Sequence, residues 1–84
     1  MKIYDKVLAA LETFIERQRE EVVDCIPEPG RSRSALWRTD LREQVDILDT
    51  YIEAYERAKR TLSLHGMDRD LLVQVLEFVD ETDG

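Results

Sequence analysis

An all-α fold, a small bundle of two long antiparallel helices and a shorter third, is predicted by three observations on this 84-residue chain. Apolar residues recur at alternating steps of three and four along three stretches, which places them on one side of a helix. Helix-breaking residues, Pro27, Pro29 and Gly30 in one place and Gly66 in another, divide those stretches. No run alternates at period two, the mark of a half-buried strand. Charged residues make up 37% of the chain, well above the usual quarter, while the hydrophobic share of 43% is ordinary. Long solvated helices around a modest core follow from that balance, in a chain with room for one domain.

The first helix is expected at about 3–26. Its apolar face runs through Ile3, Tyr4, Val7, Leu8, Leu11, Phe14 and Ile15, is interrupted by the charged run from Glu16 to Glu21, and resumes at Val22, Val23 and Ile26. Gln18 stands mid-stripe, where a leucine would continue the pattern. Pro27 and Pro29 end the helix, because proline lacks an N–H and disfavours helical geometry in the residue before it.

A loop at 27–35 precedes the second helix, at about 36–65. That helix starts either after Ser34, as a serine N-cap, or after Thr39 or Asp40, with Glu43 reaching back as in a capping box; Leu36-Trp37 could then form a separate turn. Leu41, Val45, Leu48, Ile52, Tyr55 and Leu62 form its apolar stripe, and Asp46, Asp49, Glu53 and Glu56 a second stripe made only of carboxylates. The stretch from Asp40 to Leu62 is expected to organise the rest of the fold. Gly66 suits the left-handed residue that closes a helix, which puts the end at His65. Asp68 then caps a third helix at about 68–81, with Leu71, Leu72, Val75, Leu76, Phe78 and Val79 on its apolar side and Asp70 suiting its positive end.

Lengths set the architecture. The two long helices each run about 36 Å at 1.5 Å per residue, and the third is about half as long. With neighbours antiparallel, Ile15 faces Leu48, Leu11 faces Ile52, Leu8 faces Tyr55, Val22 faces Leu41, and Gln18 faces Gln44 as a register-fixing pair of amides. The short third helix covers only the end holding Ile3 to Ile15 and Leu48 to Leu62. The other end, with Val22, Val23, Ile26, Leu36, Trp37 and Leu41, is left as a two-helix piece, and an uncovered apolar end of this kind calls for a partner. A homodimer through that end, or docking onto another protein, is expected.

Composition narrows the function classes. The net charge of −7 disfavours nucleic acid and anionic membrane as generic partners, since both need a basic surface. A single cysteine, Cys25, rules out an intrachain disulfide and a multi-cysteine metal site. Acids at Asp5 and Glu12 flank the only apolar run near the N-terminus, so no signal peptide is read there, and no stretch reaches membrane-spanning length. A reducing, cytoplasmic setting is expected.

Three constellations carry potential chemistry. Glu21-Val-Val-Asp24, preceded by Glu20, and Glu43-Gln-Val-Asp46 resemble the paired Glu-x-x-Glu and Glu-x-x-Asp motifs of the all-α nucleoside triphosphate pyrophosphatases. That resemblance implies carboxylates holding magnesium against substrate phosphates inside a helical bundle. On a helical wheel, however, Asp46 and Glu43 lie about 160° and 140° from Leu48, and Asp24 lies about 140° from Leu11, so these groups point toward water. Cys25 lacks a basic partner, with the only histidine, His65, expected at the opposite end.

The basic stretch Arg31-Ser-Arg33-Ser-Ala-Leu-Trp37-Arg38, with Arg42 beyond it, combines fork-shaped donors and an aromatic, residue types that anchor a protein partner or read a phosphate. The carboxylate stripe Asp46, Asp49, Glu53 and Glu56 is a second candidate surface, a solvated face or a negative ridge of the kind an inhibitor of a nucleic-acid enzyme presents. No catalytic residue, metal site or cofactor is predicted. The chain reads as a non-catalytic protein-binding module, an adaptor, assembly factor or inhibitor of a phage-like kind. A nucleotide or phosphate ligand on the Arg31–Arg42 cluster is the alternative, and a magnesium-dependent pyrophosphatase the third reading.

Overall fold

The computed structural model describes residues 2–27 and 36–83, with the side chains of 36 and 83 excepted. Three helices account for the described fold: α1 at Ile3–Asp24, α2 at Leu36–Thr61 and α3 at Arg69–Asp83. The all-α reading holds. Apart from Pro27, the expected loop lies outside the described residues. So does the Ser34 cap, while α2 already contains Leu36 to Thr39, so the later start at Thr39 or Asp40 is set aside.

Each helix ends for a local reason. α1 stops at Asp24, two residues earlier than expected, and the chain tightens through Cys25 and Ile26, whose N–H groups reach back to carbonyls of Glu21, Val22 and Val23 at 3.1–3.2 Å. Pro27 requires this, since it turns the residue before it away from helical geometry. α2 stops at Thr61, four residues short of the expected His65. Leu62, not Gly66, takes the left-handed closing position, at φ +55°, and the Ser63 N–H donates to the Ala58 carbonyl at 3.3 Å. Those are the marks of a Schellman closure. A leucine there costs about 1–2 kcal/mol, and with 79% of its surface exposed the side chain returns little. The early exit lets Leu64 and Met67 turn back onto the core, and their burial offsets that cost. Gly66 lies in the following turn at φ +90°, where a Cβ would sit 3.3 Å from the Arg57 guanidinium. Asp68 caps α3 as expected, its Oδ1 accepting from the N–H groups of Asp70 and Leu71 at 3.0 and 3.1 Å.

The hub of the fold is α1. The Asp40–Leu62 stretch, expected to hold that place, does not. α2 and α3 each pack on α1, and their backbones do not approach one another. Val7, Ala10 and Leu11 of α1 form one buried cluster with Leu71, Val75 and Val79 of α3, and Val7, Leu11 and Val75 are fully buried. Among the described residues α2 supplies only Ala58 to the fully buried set, with Tyr51, Ala54 and Tyr55 partly buried against the cluster. Phe14 joins the three helices, its ring 5.6 Å from that of Tyr51 and 5.3 Å, edge-on, from that of Phe78.

The antiparallel register of α1 and α2 follows the expected pairing. At one end the Tyr4 hydroxyl donates to the Ala58 carbonyl at 2.9 Å. Near the middle Gln18 meets Gln44, its Nε2 donating to the Gln44 side-chain oxygen at 2.6 Å and to the backbone carbonyl at 2.9 Å. The molecule is a rod of 48 × 27 × 18 Å with a radius of gyration of 15.3 Å, against roughly 12 Å for a compact chain of this length. Its length comes from the part of α1 and α2 that α3 does not reach.

Candidate interaction surface

Among the described residues, the two long helices have only each other beyond the Gln18–Gln44 layer. Val22, Trp37 and Leu41 are half-buried there, whereas Val23 and Ile26 remain 64% and 52% exposed. The pattern that produces this is already in α1: Val22 follows the core-facing stripe, and Val23 and Ile26 sit on its flank, where a third layer would have to lie to cover them. Cys25, half-buried, is at the same end.

Trp37 and Arg38 open α2. The Arg38 guanidinium lies 5.6 Å from the centre of the Trp37 ring, a cation–π contact, and Arg38 and Arg42 are both exposed one turn apart. Arg31 and Arg33 lie outside the described residues, so Trp37, Arg38 and Arg42 are the part of the predicted basic cluster whose arrangement is seen. They stand beside the uncovered apolar end.

The carboxylate stripe is fully on the surface, with Asp46, Asp49, Glu53 and Glu56 all exposed. Glu20, Glu21, Asp24 and Glu43 are exposed too, so the carboxylates of the pyrophosphatase-like motifs diverge into water. Among the described residues no group of three or more His, Cys, Asp or Glu side chains is placed to hold a metal ion. A magnesium site needs such convergence. His65 is exposed in the turn after α2.

One feature was not legible in the sequence. On the side of the α1–α2 pair away from α3, an open groove of about 650 Å³ has Ile15, Ile52 and Tyr55 on its floor and Glu12, Arg19 and Lys59 along its walls. The Tyr55 hydroxyl donates to Glu12 Oε1 at 2.5 Å, and Lys59 Nζ sits 5.3 Å above the Tyr55 ring. The Tyr55 phenol is held above the usual tyrosine range, first by that hydrogen bond to Glu12, then by burial and by the negative charge of Glu12. The signal was the width of the α1 stripe, where Leu8, Ile15 and Ile26 lie on one flank and Ala10 and Phe14 on the other. One short helix can cover only one flank.

Compared with known proteins, the chain matches no family model, no curated protein and no solved structure.

Proposed function

We propose that this chain is a non-catalytic protein-interaction module, an adaptor, assembly factor or inhibitor, working through the end of the bundle that α3 leaves uncovered. The observation that carries the reading is the contrast in burial along the same two helices. Val7 and Leu11 are fully buried, while Val23 near the end of α1 and Ile26 just beyond it keep more than half of their surface in water. Large apolar side chains grouped at one end and bordered by charge mark a contact surface. Trp37, Arg38 and Arg42 add residue types that anchor interfaces. Capture of partners from the native host by wild type and by Trp37→Ala is the test. The module reading requires capture that falls at least about tenfold with Trp37→Ala, the loss of a central anchor. Equal capture by both forms removes it.

A second reading, a phosphate-bearing ligand, is favoured by the two exposed arginines one turn apart beside an aromatic ring. The chain has a single tryptophan. Quenching of its fluorescence by a nucleoside triphosphate supports this reading, and no change across the common nucleotides ends it.

A further inference from the structure

The exposed flank of α2 carries a charge order that is complementary to itself when reversed. Going along the helix, Arg38 and Arg42 are followed by Asp46 and Asp49, and all four are exposed. Taking Leu48 as zero, they lie at about 80°, 120°, 160° and 100°, a single sector on the side of Ile52 and Glu56. Ile52 and Glu56 line the open groove, so the near edge of this sector borders it, while Glu53, at about 140° in the same sector, lies by Asp68 and Leu71 at the start of α3. Within one helix Arg38 and Arg42 are like charges four apart and Asp46 and Asp49 like charges three apart, against one opposite-charge spacing, Arg42 to Asp46. Among the described residues none of the four has an ion-pair partner.

Turned end for end about Gln44, a second α2 brings Asp46 of the second copy opposite Arg42 and, within one residue, Asp49 of the second copy opposite Arg38. Each like-charge neighbour pair becomes two attractive pairs across the contact. The same turn acts on α1, because Gln18 is hydrogen-bonded to Gln44 and so marks the same level of the rod. It lays Val23 at the level of Thr13 and Ile26 at the level of Ala10 of the second copy, so that Val23 falls one residue from Glu12, at the end of the open groove. The charge order and the contact of Val23 with the end of the groove thus follow from one symmetry operation.

We infer that the uncovered face is occupied by a second copy of this chain, stacked antiparallel so that α1 and α2 of each copy form a four-helix segment with α3 on its two outer faces. This rests on the interaction-module reading and names its partner. The contact is isologous, each patch meeting its own copy, so it closes at two chains. A foreign partner has no reason to match a palindromic charge order. The net charge of −7 opposes the approach of a second copy at long range, and at physiological salt that repulsion is screened beyond about 8 Å, leaving the local order to decide.

Sedimentation equilibrium on the full chain tests this with three charge variants and one apolar one. Wild type sediments as a dimer at high micromolar concentration. Arg42→Asp and Asp46→Arg alone each raise the dissociation constant about tenfold, since every substitution acts twice across the twofold axis. Together in one chain they restore it to within about threefold, because the swapped pair is again complementary. Val23→Asp leaves the chain monomeric at the same concentration. All three positions replaced by these changes are exposed, and unchanged helical circular dichroism establishes that the variants fold. A monomeric wild type overturns the inference, as does a dimer indifferent to the single reversals or one that the double change does not rescue. If the wild type is monomeric while capture from the host still depends on Trp37, the second copy is excluded and the interaction module stands.

Discussion

The two ends of this rod are built from the same two helices, and they differ in whether a third layer lies on them. Where α3 lies, Val7, Leu11 and Val75 are sealed from water, and three of the four helix ends there follow the helix dipoles, the exception being the acidic last turn of α3 itself. Asp5 sits in the first turn of α1, Asp70 in the first turn of α3, and Lys59 and Arg60 in the last turn of α2. At the other end the signs are reversed. The last turn of α1 has no basic residue and carries Glu21 and Asp24, and the first turn of α2 has no acidic residue and carries Arg38. Each helix alone would be destabilised by such charges. Among the described residues, one end carries a third layer and the other does not.

Core truncation should separate the two ends most sharply. Leu11→Ala, at the centre of the buried cluster, is expected to cost about 2–5 kcal/mol, whereas Val23→Ala should change the stability of the isolated chain by less than about 0.5 kcal/mol. Chemical denaturation of the two variants measures both, and a similar loss for Val23→Ala would erase the distinction between covered and uncovered ends.

The boundary between the ends is the amide pair. Gln18→Ala leaves the Gln44 side chain without its partner, at a cost of about 1–3 kcal/mol, while replacing both glutamines with leucine should be close to neutral. Equal losses for the single and double changes would show that the pair does more than satisfy itself. Leu62→Gly should raise stability, by up to about 1 kcal/mol, because glycine takes the left-handed backbone without the steric cost and the leucine side chain is exposed. A lower melting temperature for this variant would place the end of α2 elsewhere.

The smallest effect is on pH. The Tyr55 phenol is raised in the folded chain, so its hydrogen bond to Glu12 contributes in full below the unfolded tyrosine value and is lost as pH rises through the folded one. In an alkaline absorbance titration of the three tyrosines, the last component to ionise should vanish in Tyr55→Phe. Persistence of that late component would remove the assignment to Tyr55.

Much of the fold could be read from residue order, since periodicity reports which side chains share a face. The three helices, the Gln18–Gln44 pairing, the Asp68 cap and the exposed carboxylates of α2 came from that rule and from cap chemistry. The helix-two stripe was misjudged as the organiser for the same reason. Its period is the most regular in the chain, yet regularity says nothing about how many neighbours a face will have, and α1 alone is packed from two sides. The closing position of α2 was missed because glycine preference is local, whereas the turn at Leu62 answers to Leu64 and Met67 reaching the core. The basic cluster was legible as composition and the place of Trp37 at the uncovered apolar end as register, whereas the stacking of Arg38 on the Trp37 ring was not.

By itself, then, the order of residues determined the helices, their caps and the antiparallel register, all of which depend on interactions between residues near in sequence or repeated along two stripes. Only the tertiary structure decided which flank of α1 the third helix covers, and with it the open groove between α1 and α2. The physical reason is that burial is a property of layers: a stripe wide enough for two neighbours looks the same in sequence whether one or both are present.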